Sequence, residues 1–380
     1  MELFDVYSLF PIEPVRARGC SLFDRDSREY LDFYGGHAVI SIGHGHPHYR
    51  QALKEQIDRI GFYSNSVQNS LQQALAKKLG QLSGYEEYQL FLCNSGAEAN
   101  ENALKLASFH TGRSRIVAFR GAFHGRTSAA VAMTDNPNIQ APVNRGHAVT
   151  FLPLNDARAA ETALAAGDAC AVIIEGIQGV AGIVEPEAAF LRRLRELCDR
   201  TGSLLILDEV QSGYGRTGDF FAHQRSGIRP DIITVAKGMG NGFPIAGVLI
   251  HPAIRSQTGL LGTTFGGNHL AAAAGLAVLE VIERENLMQN AAEKGARLQR
   301  EITGLHPSIR EVRGRGLMLG VKFNQPVAEL RKRLLHDFGV FTGAAADKQV
   351  LRLLPPLSVT NTDVERFLDA FQKALASMET

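Results

Sequence analysis

Two short apolar runs constrain the fold of this chain more than any other feature. The segment 204–242 reads LLILDEVQSGYGRTGDFFAHQRSGIRPDIITVAKGMGNG, and its runs Leu204–Leu207 and Ile232–Val235 lie between turn residues. Such runs are typical of buried strands in a parallel sheet. Asp208 ends the first run, and Lys237 follows the second. Because ligands bind outside the carboxyl ends of strands in open α/β sheets, the sequence predicts a carboxylate and an amine at one rim.

An alternation of strand and helix patterns extends from residue 70 to residue 250. Predicted helices such as Ala97–His110 and Glu187–Thr201 lie between most of the apolar runs. Strands that alternate with helices indicate an α/β fold with a mainly parallel sheet covered on both faces. The predicted strands are Tyr88–Cys93, Arg115–Phe119, Ala148–Leu152, Ala171–Glu175, Leu204–Asp208, Asp231–Ala236 and Ala246–Ile250.

The pattern changes after a long predicted helix at His269–Arg284. Beyond it, helices and short strands near Ile309–Val312 and Gly316–Phe323 indicate a smaller α+β domain. A chain of 380 residues is too long for one small core, so more than one domain is expected. We expect three parts, which are an N-terminal segment that packs with the small domain (1–40), a large domain (41–275) and a small C-terminal domain (276–380).

Composition excludes several classes of partner. Forty basic and 39 acidic residues give a net charge of +1, which provides no basic field for nucleic acid or anionic membrane. The longest apolar run, Leu270–Leu279, is too short to span a bilayer, and the N-terminus has no basic run typical of a signal peptide. The four cysteines show no CxxC spacing, so we expect a reducing, cytoplasmic location.

Three alternating histidines, His44, His46 and His48, raise the question of a metal site. No carboxylate or cysteine lies at ligand spacing from them, so we predict that the protein holds no metal. Pro47, between the last two, indicates instead the first turn of a helix.

The glycines Gly213, Gly215 and Gly218 match the pattern GxGxxG directly after a strand, which favours a dinucleotide-dependent oxidoreductase. The residues that follow form a short helix at best, and no acidic residue ends a following strand about 20 positions on. We therefore interpret the segment as a glycine-rich loop.

A second possible ligand site follows the strand at Tyr88–Cys93. There, Asn94, Ser95 and Gly96 precede a helix, whose free N–H groups and dipole suit a single phosphate. The alternative is an ordinary helix cap, just as Asp208 and Lys237 alone could form a structural ion pair.

An aromatic residue followed by His-Gly-Arg, at residues 123–126, accompanies these groups. A phosphorylated aromatic aldehyde needs such a set. Its aldehyde needs a lysine, its ring nitrogen an aspartate, its ring a flat apolar face and its phosphate a cradle of N–H groups.

With these parts together, the chain resembles the class III pyridoxal-phosphate aminotransferases of fold type I. Within this class it is most similar to the acetylornithine and succinylornithine transaminases. The resemblance covers nearly the whole chain and implies pyridoxal 5′-phosphate as the cofactor. The motifs that carry it are NSGAEANENALKLA (94–107), FHGRT (123–127), EGIQG (175–179), LLILDEVQSGYGRTG (204–218), AKGMGNGFP (236–244) and TTFGGN (263–268).

The resemblance implies a role for each residue of the cofactor site. Lys237 bonds the cofactor aldehyde and then moves the proton, so that Lys237 and Asp208 are the catalytic pair. Asp208 pairs with the ring nitrogen, Gln211 reaches the ring hydroxyl, and Phe123 stacks on the ring. The phosphate is held by the start of the helix after Cys93, at Ser95, Gly96 and Ala97.

The resemblance also implies the substrate contacts and the assembly. Arg126 holds the α-carboxylate of an acylornithine, with Thr263 close by. Arg352, in the motif RLLPP, holds the α-carboxylate of glutamate or 2-oxoglutarate. Thr264 reaches the phosphate in the neighbouring subunit, so a homodimer is expected.

The chain departs from the family pattern at two positions. The family usually reads EPIQGE, where the second glutamate can cover the arginine that binds 2-oxoglutarate, but this chain has Val180 there. Ornithine enzymes carry a tyrosine that reads the free α-amino group, whereas this chain has His37. The second departure argues against plain ornithine as the substrate.

The predicted activity is transfer of the δ-amino group of an N-acylornithine to 2-oxoglutarate by a ping-pong reaction, in arginine biosynthesis. Acetyl and succinyl donors both remain open. The alternatives are another ω-amino donor, namely ornithine, 4-aminobutyrate or a lysine-pathway semialdehyde partner. An aminomutase has no use for two carboxylate-binding arginines, and an inactive binding protein would be expected to have lost Lys237 or Asp208.

Overall fold

The computed structural model describes residues 1–378, in which the chain forms three β-sheets with helices packed against them. The strands are β1 (Pro14–Arg18), β2 (Ser21–Asp24), β3 (Glu29–Asp32), β4 (Gln89–Cys93), β5 (Arg115–Phe119), β6 (Val149–Leu152), β7 (Ala169–Glu175), β8 (Leu204–Asp208), β9 (Ile232–Val235), β10 (Ala246–Ile250), β11 (Ile309–Arg315), β12 (Met318–Phe323), β13 (Val340–Phe341), β14 (Gly343–Ala344) and β15 (Val350–Leu353).

The helices begin with a short turn, α1, which contains left-handed residues. In chain order they are α1 (Gly35–Ala38), α2 (Pro47–Arg59), α3 (Ser70–Ser83), α4 (Gly96–Thr111), α5 (Ser128–Ala132), α6 (Ala157–Leu164), α7 (Ala188–Thr201), α8 (His269–Arg284), α9 (Leu287–Ile302), α10 (Ala328–His336) and α11 (Asn361–Ala376). In this part of the chain, no helix is both long and apolar enough to cross a membrane.

The large sheet has seven strands in the order β4-β10-β9-β8-β7-β5-β6. Strands β5 to β9 pair in parallel, which confirms the predicted α/β fold. The exception is β10, which runs antiparallel to both β9 and β4. Ten residues, which include a short 3₁₀ turn at Lys237–Met239, separate β9 from β10, and a parallel crossover usually needs a dozen or more residues. The chain therefore returns beside β9 in the opposite direction.

Burial on both faces explains why the central strands read as continuous apolar runs. Every residue of β7 and β8 is buried. Along β8, Ile206 packs in the same apolar cluster as Ala103 of α4, on one face of the sheet. Leu205 and Leu207 pack in another cluster with Leu194 of α7, on the opposite face. Successive side chains of a strand point to opposite faces, so both faces need apolar residues.

Two smaller sheets complete the fold. The strands β11-β12-β15-β14 form an antiparallel sheet, against which α9 packs. The other sheet has the order β1-β2-β3-β13, and its last pair joins β3 of the N-terminal segment to β13 in parallel. The predicted mixed pattern of helices and short strands in the C-terminal part is confirmed. The predicted helix His269–Arg284 has the same bounds in the structure.

Candidate functional site

A cavity of about 370 Å³ lies at the carboxyl ends of β7, β8 and β9, where the sequence predicted the site. Its walls come from strand ends, from the start of α4 and from the segment after β5. The structure brings eight of the predicted site residues together in its lining, namely Ser95, Gly96, Ala97, Phe123, Arg126, Asp208, Gln211 and Lys237.

Asp208 is fixed at the end of β8 by a network of hydrogen bonds. Its Oδ2 accepts from Asn100 Nδ2 at 2.8 Å and from His124 Nδ1 at 2.7 Å. Its Oδ1 accepts from the backbone N–H of Val210 at 3.0 Å. Asp208 is only 4% exposed, and a buried carboxylate with this many donors is held in one orientation. This network includes a histidine that sequence reasoning missed.

Lys237 is the second residue after β9, and its left-handed backbone (φ 46°) turns the chain sharply at the cavity. Burial lowers the pKa of its ammonium group, and Arg352 contributes in the same direction. The carboxylates of Asp208 and Glu175 oppose this shift. A lowered lysine pKa increases the fraction of free amine, which is the nucleophilic form.

The start of α4 is capped by Ser95 and faces the cavity. Ser95 is the N-cap, and its hydroxyl oxygen accepts from the N–H of Glu98 at 3.2 Å. Gly96 and Ala97, in the first turn, line the cavity. A Cβ on Gly96 would approach Val210 Cγ1 to 2.8 Å, so a side chain at this position would disturb the wall. The sixteen-residue helix directs the positive end of its dipole to this point.

Gln211 provides the observation that tests whether the predicted cofactor fits. Its Nε2 donates to the carbonyl of His37 at 3.1 Å. Its Oε1 is buried and has no hydrogen-bond partner within residues 1–378. A buried acceptor in a cavity wall needs a donor, and a ring hydroxyl would provide one. Phe123, half-buried in the same lining, offers an apolar face, so the residues present fit pyridoxal phosphate.

Arg352 is a buried cation with no carboxylate partner in the described chain. It is 4% exposed, its Nε donates to the carbonyl of Ala344 at 2.6 Å, and its Nη1 donates to that of Gly179 at 3.2 Å. Burial lowers the pKa of the guanidinium group, while Glu175 and Tyr34 act in the opposite direction. Arg352 lies behind the lining, in contact with the carbonyl of the residue before Val180.

The two predicted threonines do not line this cavity. The hydroxyl of Thr263 contacts Asn94 Nδ2 at 3.3 Å and the N–H of Gly266 at 3.2 Å, beside the start of α4. Thr264 is exposed. Within one chain, Thr263 therefore contacts a lining residue, Asn94, without lining the cavity itself.

Glu175 is a second functional candidate that sequence reasoning missed. It ends β7 beside Asp208 of β8 and is 6% exposed. Burial raises the pKa of its carboxyl group to about 7, since the lowering by His124 offsets the penalty only in part. The residue stands in the motif EGIQG, but nothing in that motif indicated what the carboxylate contacts.

The remaining sequence patterns have structural explanations. The segment Gly213–Gly218 forms turns, and only a 3₁₀ turn at Ala222–Ser226 follows, so the interpretation as a glycine-rich loop is confirmed. His44, His46 and His48 bond to three separate carboxylates, those of Asp32, Glu285 and Glu280. Within residues 1–378, no group of three or more histidine, cysteine or acidic side chains could hold a metal ion. The helix predicted at Pro47 is present.

The fold and this cavity define a pyridoxal-phosphate-dependent enzyme of fold type I. The chain belongs to the aminotransferase class-III family, whose model matches residues 5–375. It is therefore an aminotransferase, and its cofactor is pyridoxal 5′-phosphate.

Among similar proteins, the acetylornithine aminotransferase of Bacillus subtilis (strain 168) is 40% identical, over 98% of this chain and 97% of that protein. The acetylornithine aminotransferase of Mycolicibacterium smegmatis is 43% identical, over 97% and 95%. Among solved structures, the ornithine aminotransferase of Toxoplasma gondii superposes with a TM-score of 0.91 at 28% identity, over 98% and 92%. An S-selective transaminase from an Arthrobacter species gives a TM-score of 0.92 at 24% identity, over 99% and 96%, which shows the shared fold.

Proposed function

We propose that this enzyme transfers the δ-amino group of an N-acylornithine to 2-oxoglutarate, giving the semialdehyde and glutamate, in arginine biosynthesis. The observation that carries the proposal is the identity of 40–43% with acetylornithine aminotransferases over nearly the whole chain. The ornithine aminotransferase of known structure is less similar, at 28%. The chain also has His37 where ornithine enzymes have a tyrosine. Both acetyl and succinyl donors fit this proposal.

The residues around the cavity would have different roles in the reaction. When bound, the cofactor supplies an electron sink for negative charge at the substrate carbon. Asp208, held by His124 and Asn100, would keep a proton on the ring nitrogen. Lys237 would hold the cofactor at its aldehyde carbon, and its Nζ, once freed by the incoming substrate amine, would serve as the base that takes the proton from the substrate carbon and returns it.

The other lining groups would orient the cofactor and exclude water. Phe123 would cover one face of the ring, and the free Oε1 of Gln211 would accept from the ring hydroxyl. The N–H groups of Gly96 and Ala97, with Ser95, would hold the phosphate at the start of α4.

Two guanidinium groups would bind the two substrates in turn. Arg126, exposed in the cavity lining, suits the α-carboxylate of the acylornithine, with Thr263 nearby once the assembly is complete. Arg352, buried and without a carboxylate partner in residues 1–378, suits the α-carboxylate of glutamate or 2-oxoglutarate. A planar guanidinium binds a carboxylate through two parallel hydrogen bonds.

A panel of amino donors tests this function. The enzyme is incubated with 2-oxoglutarate and, separately, N-acetylornithine, N-succinylornithine, ornithine or 4-aminobutyrate, and glutamate is measured. We expect kcat/KM to be highest for one of the two N-acylornithines. If ornithine or 4-aminobutyrate is the best donor, the substrate assignment is wrong, and the reaction is that of another ω-amino acid transaminase.

We also propose that the active unit is a homodimer. Phe62 and Phe265 are 44% and 61% exposed, and their rings lie 5.4 Å apart on the surface beside Thr264. Exposed aromatic pairs are typical of protein interfaces. In this arrangement Thr264 would reach the phosphate in the partner's site. Light scattering should give the mass of two chains, and Phe265→Glu should yield monomers with weaker retention of the cofactor.

We further propose three structural units and a cytoplasmic location. The pairing of β3 with β13 supports an N-terminal segment (1–40) that packs with the small domain (276–380), apart from the large domain (41–275). Limited proteolysis near the proposed boundaries tests this division. The four cysteines are unpaired and buried, as expected in a reducing compartment, and fractionation of cells tests the location.

A further inference from the structure

The carboxylate of Glu175 connects two parts of the cavity wall that are far apart in sequence. Its Oε1 accepts from the backbone N–H of Phe123 at 3.0 Å. Its Oε2 accepts from the backbone N–H of Gly179 at 3.0 Å. Both oxygens are therefore used as acceptors, and both donors belong to loops rather than to helices or strands. Because each oxygen of this buried carboxylate accepts from the backbone N–H of a different loop, Glu175 holds both loops in place.

The loop that contains Phe123 positions the aromatic ring in the cavity wall and the histidine that bonds to Asp208. The phenyl ring of Phe123 lines the cavity, and the next residue, His124, bonds to Asp208. Moving the backbone of Phe123 would therefore displace the ring and strain the contact between His124 and Asp208.

The turn at Gly179 positions an acceptor of Arg352 and the wall that contains Val180. The carbonyl of Gly179 accepts from Arg352 Nη1, and Val180 continues into the cavity lining. A Cβ on Gly179 would lie only 1.8 Å from Gln211 Oε1, so this turn also packs closely on Gln211. A shift of the turn would move an acceptor of Arg352 and the wall beside Gln211 together.

Charged groups face Glu175 from four elements. They are His124 in the segment after β5, Asp208 at the end of β8, Lys237 after β9 and Arg352 in β15. Arg352 has no carboxylate ion pair within residues 1–378, and Val180, next to Gly179, offers no acid. The negative charge of Glu175 therefore acts against burial, which lowers the pKa of both Lys237 and Arg352.

We propose that Glu175 is a positioning residue for both substrates' sites. Its two oxygens fix the Phe123 loop and the Gly179 turn relative to each other, and its carboxylate is one of the two that face Lys237. The part concerning Arg352 as a substrate contact rests on the proposed function. The tethering of the two loops does not.

Glu175→Gln is the informative variant, because glutamine keeps the size but has one acceptor and one donor. At least one of the two backbone N–H groups then faces an NH₂ group and loses its partner. In the holoenzyme, we expect amide hydrogen exchange at Phe123 or Gly179 to become about tenfold faster or more. The pH midpoint of the absorbance change of the bound cofactor should shift downwards, because a negative charge near Lys237 is removed.

Glu185→Gln is the matched control. Glu185 stands in the same connection after β7 but pairs with Arg315 at 2.7 Å and does not line the cavity. This variant should leave both amides and the absorbance midpoint unchanged. Glu175→Asp retains the charge on a shorter side chain. Hydrogen exchange should therefore become faster at one of the two amides, while the pH midpoint of the absorbance change should stay close to that of the native enzyme.

The unmodified holoenzyme provides a test that does not depend on whether a variant folds. Protonation turns one oxygen of Glu175 into a donor, so protection of the Phe123 and Gly179 amides should fall between pH 8 and pH 6. Equal protection at both pH values, or an unchanged midpoint and unchanged exchange in Glu175→Gln, would overturn the proposal. Neither readout requires an amino donor, so a wrong substrate assignment would not affect either of them.

Discussion

Val180→Glu is the substitution whose effect the site predicts in most detail. Val180 lines the cavity, and its carbonyl accepts from the N–H of Ala346 at 2.8 Å, so its backbone is anchored. The preceding carbonyl, of Gly179, accepts from Arg352 Nη1 at 3.2 Å. A glutamate at position 180 therefore starts one residue away from an established contact of Arg352. Its carboxylate would compete with a substrate carboxylate for the guanidinium group.

The size of the effect follows from the burial of Arg352. The side chain is 4% exposed, and its described hydrogen bonds are to two neutral carbonyls. A charge-assisted hydrogen bond in such a place contributes about 1.5–3 kcal/mol. Since about 1.4 kcal/mol corresponds to a factor of ten, the KM for 2-oxoglutarate should rise roughly 10- to 100-fold. The native enzyme should bind 2-oxoglutarate and glutamate tightly and be inhibited by small dicarboxylates.

The assay compares kcat/KM for N-acylornithine with kcat/KM for glutamate, together with the KM for 2-oxoglutarate. Val180→Glu should raise the ratio of kcat/KM for N-acylornithine over that for glutamate. Val180→Gln introduces a side chain of the size of glutamate but without charge, so this ratio and the KM for 2-oxoglutarate should change little. Glu185 does not substitute for the missing acid, because it pairs with Arg315. An unchanged ratio with an unchanged KM in Val180→Glu would refute the reasoning.

Three further substitutions separate the roles of the other groups. Lys237→Ala should retain the cofactor but lose transamination by about 10³-fold or more, and borohydride reduction of the native enzyme should label the peptide with Lys237 and no other. Asp208→Asn should slow the chemical step strongly without unfolding the protein, because the neutral amide no longer favours a protonated ring nitrogen; near-normal turnover would favour a structural role. Arg126→Lys should weaken the acylornithine half-reaction much more than cofactor binding, and native enzyme that uses a donor lacking the α-carboxylate equally well would contradict the role of Arg126.

The central sheet could be predicted because its physical signal is local. Runs such as Leu204–Asp208 lack the alternation of a half-exposed strand, and the structure shows why, since helices cover both faces. The direction of β10 was not predicted, because apolar composition is the same in parallel and antiparallel strands. The signal was available in the spacing, since the ten residues between Val235 and Ala246 leave no room for a crossover helix.

The site separates in the same way into local and long-range parts. Asp208 is the last residue of β8 and Lys237 lies just beyond β9, so the direction of these neighbouring strands was enough to bring them to one rim. The contact between His124 and Asp208 spans 84 residues, and that between Gly179 and Arg352 spans 173. No periodicity encodes such pairs, and only the family resemblance indicated Arg352.

Glu175 shows why a motif can be noticed without its function being understood. Glu175 lies beside Asp208 because β7 pairs with β8. Two adjacent carboxylates at one sheet edge repel each other unless hydrogen-bond donors offset the repulsion. Asp208 accepts hydrogen bonds from a histidine and an asparagine side chain. Glu175 accepts from two backbone N–H groups, but burial outweighs them and raises its pKa to about 7. The two carboxylates therefore have different hydrogen-bond partners, and those of Glu175 lie in loops that only the folded chain brings together.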